Sequence, residues 1–182
     1  IAAIDIAIPE KFRLLNIALV DVGAGTSDIC ITNDGCVIAY GMIPHAGDEI
    51  TEIIARLCLV DFNTAEQIKR DLTENDKVEF KDIMDISQSM KSEDILKTIA
   101  PTLNSITEEI AEKIKELNGG KSVSAVFVVG GGGKVKGFTT HIAEVLGLQS
   151  DRVALRGKEV LGEVEFADEN VVKDPLLVTP IG

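Results

Sequence analysis

Hydrophobic residues along this chain fall into two periods. Residues 17–20 form an unbroken apolar run ending at Asp21, and residues 29–32 form a second β-rich run. Together they predict a strand–turn–strand unit whose turn rests on Gly23 and Gly25. Asn33-Asp34-Gly35 is a hairpin turn signal that leads into a third strand over residues 36–44. Near Gly47 the period changes. Ile50, Ile53, Ile54 and Leu57 fall at i, i+3, i+4 and i+7, the apolar stripe of a helix that opens on His45-Ala46-Gly47-Asp48. Thr64 with Gln67 reads as a capping box for a short helix over residues 65–72. Val78-Glu79-Phe80 alternates as a short strand, with Ile83, Met84 and Ile86 as satellite apolar positions.

Ser92 is expected to cap a long helix with Glu93 and Asp94 in its first turn. Its stripe runs through Ile95, Leu96, Ile99, Leu103, Ile106, Ile110, Ile114 and Leu117 to a stop at Asn118-Gly119-Gly120. Pro101 predicts a kink or break inside it, and the Glu109/Lys113 pair is expected to face water. Residues 125–129 read as a short buried strand, followed by four glycines, Gly130 to Gly133. An amphipathic helix then runs through Leu146 to Gly147, and residues 151–156 read as a last short strand.

Composition narrows the class. With 182 residues, 45% hydrophobic and 26% charged, the chain has the makings of one globular domain with a sizeable core. A net charge of −12 argues against nucleic acid or an anionic membrane as a direct partner. An acidic chain still accommodates a nucleotide where loop amides and a cation offset the phosphates. No run of about 18 apolar residues is present, nor the basic start of a signal peptide. Cys30, Cys36 and Cys58 lack metal spacing and leave an odd thiol, so they read as reduced, mostly buried residues of a cytoplasmic protein.

The candidate chemistry begins at the first turn. In D-x-G-x-G-T-x-D, from Asp21 to Asp28, the glycines let backbone N–H groups approach a ligand closely. The carboxylate closing the first strand suits a hydrated Mg²⁺ rather than a phosphate. Two glycines alone would be an ordinary tight hairpin; the full pattern between two strands is far more specific. Glu66, Lys69 and Arg70 share one helical face, which by itself would be a solvated charged face. The glycine run alone is weak evidence, but strand, G-G-x-x-x-V-x-G-F and helix in succession is stronger. His45 and His141 read as a loop residue and a helix-face residue, not as a base or a ligand.

The D-x-G-x-G-T-x-D hairpin resembles the second phosphate motif of the actin-like ATPase superfamily. The E-x-x-K-R helix at Glu66 and the glycine run at Gly130 resemble its ribose and adenosine motifs, in the family's order, about 40 and then about 60 residues apart. The D-P-x-x-x-T-x-x-G stretch from Asp174 to Gly182 and the I-P-x-A-G-D-E-I-T stretch from Ile43 resemble the cell-division FtsA family and the pilus-assembly PilM family. Pro180 in that ending, and Gly132-Gly133 where Ala or Ser is more usual, depart from the pattern.

The resemblance implies an α/β, ribonuclease H-like lobe with a mixed five-stranded sheet that starts with an antiparallel meander. Helices are expected on both faces, with a small outer subdomain over residues 73–91. Residues 1–16 would connect from a missing first lobe, and residues 17–182 would be the second nucleotide-binding lobe. ATP and Mg²⁺ are the implied cofactors. Gly23, Ala24, Gly25, Thr26 and Gly47 would meet the phosphates, and Asp21 would hold Mg²⁺ through water. Glu66 and Lys69 would reach the ribose, Arg70 would lie along the adenine, and Gly131, Gly132 and Lys134 would wall the adenosine. No first phosphate motif occurs here, and Asp5 and Glu10 fit poorly as residues that position an attacking water. The chain therefore reads as one lobe of a longer FtsA-like protein of bacterial division or pilus assembly, inactive alone. Its expected partners are proteins of that machinery or further copies of itself, with membrane association only through other parts. A chaperone-like or reactivating ATPase, and a nucleotide-free scaffold on the same fold, are the alternatives.

Overall fold

A computed structural model describes Ile8, Phe12 and residues 14–156. Asp5, Glu10 and the D-P stretch from Asp174 lie outside the described residues. Strands β1 (Ile17–Val22), β2 (Ser27–Asn33) and β3 (Cys36–Ile43) form the antiparallel meander. Helices α1 (Gly47–Cys58) and α2 (Phe62–Asp71) follow, then a hairpin of β4 (Lys77–Lys81) and β5 (Ser87–Lys91). The long helix α3 (Ser92–Leu117) leads to β6 (Ala125–Val129), α4 (Phe138–Leu146) and β7 (Val153–Leu155). The main sheet has five strands in the order β3-β2-β1-β6-β7, with β1, β6 and β7 parallel. This is the mixed sheet that the sequence led us to expect.

Alternation in β1 and β2 sends Ala18, Val20, Val22, Ile29 and Ile31 into one hydrophobic cluster with Val126 and Val128 of β6. All four helices contribute to that cluster, through Ile50 and Ile54, Ile68, Ile99 and Ile110, and Phe138 and Ile142. The described helices thus cover one face. On the other face Ile17, Leu19 and Cys30 are also buried, as is Ile8. Among the described residues no helix is long and apolar enough to cross a membrane.

Several local expectations are corrected. Helix α2 starts at Phe62, not at Ala65, because Asp61 is its N-cap: Oδ1 accepts from the amides of Asn63 and Thr64, and Oδ2 from the Thr64 hydroxyl. A carboxylate that takes two amides at a helix N-terminus outcompetes a hydroxyl in the same turn. Helix α3 runs through Pro101 without a break. Pro101 is exposed, so the unbonded carbonyl one turn earlier is left to water, while Ile95, Ile99, Leu103 and Ile106 are buried on the other side. Ser92 is buried inside the first turn and donates to the Asn75 carbonyl; Lys91 holds the cap position. Glu109 pairs with His45 at 2.9 Å, and Lys113 turns to Glu116. Ile83, Met84 and Ile86 lie on the exposed β4–β5 turn, where Asp82 Oδ1 accepts from the amides of Met84 and Ile86.

Candidate functional site

The parallel pairing of β1 with β6 sets Asp21 beside Val129, so both strands end at the same level. Their two following loops therefore meet. In the first, residues 23–26 form an exposed tip closed by the Gly23 amide donating to the Thr26 carbonyl at 3.0 Å. The second begins at Gly130, whose φ is +84° and where a Cβ would stand 2.4 Å from the Val22 carbonyl oxygen. At Gly132 a Cβ would stand 2.4 Å from Val22 Cγ1. Neither loop can pass the other with a side chain at these points. Helix α1 is tied to the same tip: the Gly47 amide donates to the Gly23 carbonyl at 3.2 Å and the Asp48 amide to the Ala24 carbonyl at 2.8 Å.

Between these loops and α2 lies an open cleft of about 520 Å³. Of the residues singled out from the sequence, Asp21, Gly23, Ala24, Thr26, Glu66, Lys69, Gly131 and Gly132 line it. Gly25, Gly47, Arg70 and Lys134 do not. Gly47 lies beneath the cleft floor, against Gly23 and Lys69. Arg70 is exposed and stands 3.8 Å from Glu66. Lining residues to which the sequence assigned no role are Asp28, Asp48, Phe62 and Gly130. A second cleft of about 560 Å³, between the end of α2 and the start of α3, is lined by Leu72, Asp76, Lys77, Lys91, Ser92 and Lys136 among others. It gathers none of the motif residues, so the chemistry favours the first.

Glu66 and Lys69 do not simply project into the cleft. Lys69 Nζ is buried and donates to Thr51 Oγ1 at 2.7 Å and to the Gly47 carbonyl at 3.1 Å, and it pairs with Glu66 Oε2 at 2.7 Å. Thr51 also stands 2.8 Å from Glu66 Oε2. A buried ammonium with three oxygen neighbours is a satisfied one, so Lys69 ties α2 to α1, whose Gly47 and Asp48 amides in turn hold the tip loop. Thr51 was missed in the sequence; its signal was a polar residue inside the α1 stripe between Ile50 and Ile54.

Burial pushes the Glu66 carboxyl up, but the hydrogen bonds from Lys69 and Thr51 and the charges of Lys69 and Arg70 outweigh it, and the group lies below its ordinary 4.5. A carboxyl lowered by folding contributes stability above its unfolded value, and that contribution is lost as pH falls through the folded one. Glu66→Gln is therefore expected to cost about 1 kcal/mol near neutrality, with solvent at the half-buried group holding the figure down. The gap from wild type should close below pH 4.5. Urea unfolding across that range checks it, and a gap independent of pH would show that charge is not what binds the network.

Asp21 and Asp28 are directly opposed across β1 and β2 and both line the cleft, so their carboxylates are the residues that could hold a hard hydrated cation. Among the described residues no larger cluster of metal-ligating side chains occurs. The exposed tip amides and the glycines of the second loop leave room for a ligand carrying phosphate, and Phe62, 44% exposed, offers an aromatic wall.

Comparison with known proteins fits this geometry. The chain is 40% identical over 60 residues to the cell division protein FtsA of Pseudomonas aeruginosa, a match covering 33% of the chain and 14% of that protein. It is 39% identical over 57 residues to FtsA of Buchnera aphidicola, covering 31% of the chain and 14% of that protein. Among solved structures it overlays the ethanolamine utilization protein EutJ of Carboxydothermus hydrogenoformans with a TM-score of 0.64 at 22% identity, over 99% of this chain and 50% of that one. For a type IV pilus biogenesis complex of PilM and PilN the TM-score is 0.67 at 20% identity, over 97% and 48%. MreB5 of Spiroplasma citri bound to AMPPNP overlays with a TM-score of 0.66 at 19% identity, over 85% and 52%. The chain thus spans about half the length of the solved chains it overlays. The family profile of the cell division protein FtsA matches residues 18–182. An actin-like sheet, an Asp-Gly hairpin facing a glycine loop, and a profile match over nearly the whole sequence agree: the chain belongs to the FtsA family, within the actin-like ATPase superfamily.

Proposed function

We propose that this chain is the second of two lobes that close on Mg·ATP in an FtsA-type protein serving a bacterial division or pilus machinery in the cytoplasm. The observation that carries the reading is the convergence of three separate motifs on one cleft: the tip at Gly23, α2 at Glu66 and the glycines after β6. Two further points support it. The chain overlays half of each solved neighbour, and one of those neighbours, MreB5, is bound to a nucleotide.

Ala24 and Thr26 would meet the phosphates with backbone amides, the Gly23 amide being held by the Thr26 carbonyl, and Asp21 would hold Mg²⁺ through water. Glu66, with Phe62, would face the sugar and base side, with Gly131 and Gly132 opposite. Lys69 would act by holding Glu66 in place, while Gly25, Gly47, Arg70 and Lys134 have lesser claims on direct contact. When bound, Mg²⁺ would offset charge on the phosphates. What this chain's own residues do is bind and orient. Hydrolysis would need a first lobe on the opposite side, because phosphoryl transfer depends on positioning and electrostatics from both. The engagement of Lys69 by the Gly47 carbonyl, Thr51 and Glu66 favours a second reading, a scaffold that keeps the fold for protein contacts alone.

Titration of ATP, ADP and AMP against the 182-residue chain separates the two. With phosphates held from one side and water on the other, each contact is weakened. Weak binding is expected, with less than about tenfold discrimination among the three nucleotides and no turnover. No binding of any nucleotide supports the scaffold. Tight, ATP-selective binding or hydrolysis would mean that the chain is sufficient without a second lobe.

A further inference from the structure

Tyr40 lies on β3, outside the cleft lining, yet its hydroxyl donates to Asp28 Oδ1, and Asp28 does line the cleft. The register explains how. Tyr40 is opposite Cys30 and Met42 is opposite Asp28, so Tyr40 reaches its diagonal neighbour on the same sheet face. Asp28 in turn is opposite Asp21. Carboxylates directly opposed on one face repel unless a cation or a donor shares the charge. Among the described residues no lysine, arginine or histidine pairs with Asp28; the phenol is its donor.

We propose that Tyr40 is a positioning residue for the divalent cation of this site: by engaging Asp28 Oδ1 it holds the carboxylate in one orientation and leaves Oδ2 to share a hydrated Mg²⁺ with Asp21. The inference rests on the nucleotide reading above and adds to it a residue that no ligand would touch. A phenol–carboxylate hydrogen bond is charge-assisted and stronger than a neutral one.

The test titrates MgCl₂ into the 182-residue chain with a fluorescent ATP analogue. Tyr40→Phe and Asp28→Asn are each expected to raise the Mg²⁺ midpoint about three- to tenfold, and the double variant no further than Asp28→Asn alone. Binding in EDTA should be the same in Tyr40→Phe as in the unsubstituted chain. An unmoved midpoint in Tyr40→Phe, or an equal loss in EDTA, would overturn this inference and leave the nucleotide reading standing. Binding by the unsubstituted chain that does not respond to Mg²⁺ would overturn this inference alone, and absence of any binding would overturn both.

Discussion

Asp21→Ala is expected to weaken Mg²⁺-dependent nucleotide binding by about ten- to a hundredfold in the intact two-lobed protein, the range seen when a group orienting a metal's ligands is lost. The fold should survive. Asp21 is only partly buried, at the open end of β1, and the substitution leaves the backbone pairing with β2 and β6 in place. Calorimetric titration with and without Mg²⁺ checks the expectation. The loss should appear only with the metal present. An unchanged affinity in Mg²⁺ would remove Asp21 from the cation site, and an equal loss in EDTA would mean that the side chain serves the loop rather than the metal.

Among the described glycines, Gly130→Ala is expected to produce the largest loss of stability. The added Cβ would meet the Val22 carbonyl oxygen at 2.4 Å and Asp21 Oδ1 at 2.7 Å, on a backbone with φ of +84°. An L-residue at such an angle costs about 1–2 kcal/mol, and an overpacked contact that must push backbone about 1–3 kcal/mol more. Neither strand can yield, because Asp21 pairs with Val129 one residue before the clash. For a domain of this size the sum corresponds to a fall in melting temperature of about 5–15 °C. Gly120→Ala is the control: its φ is +80°, but nothing lies within 4 Å of the added carbon, so only the angular strain of about 1 kcal/mol applies. Equal melting temperatures for the two variants would mean that the β1–β6 approach is looser than the structure has it.

Much of this architecture was legible in the residues. The meander was, because Asp21 to Asp28 and Asn33-Asp34-Gly35 are turns whose chemistry is local and whose flanking strands alternate. So was the length of α3, carried by an isoleucine stripe strong enough to override Pro101. Family membership was legible for a different reason: three motifs in a set order are improbable by chance. What failed were choices between near-equivalent local options. Asp61 and Thr64 both offered a cap, and the one able to accept two amides prevailed. The second strand of the outer hairpin, β5, went unread because Ser-Gln-Ser-Met-Lys carries little β signal of its own; its partner β4 supplies the ladder.

Most of the elements, the family and the residue types at the ends of β1 and β6 follow from local pattern alone. Only the tertiary structure decided which of them meet. Val22 and Gly130 are far apart in the chain, and no periodicity encodes that their strands lie side by side in parallel, with a glycine required where the loops touch. The direction of Lys69 was likewise undetermined. A lysine on a polar helical face turns outward unless something beneath offers oxygens, and the Gly47 carbonyl, Thr51 and Glu66 do so only once α1 and α2 have packed. The contact between Tyr40 and Asp28 depends on the β2–β3 register, and that register shifts at a bulge between Ile31 and Thr32, where local pattern no longer fixes which residues are neighbours.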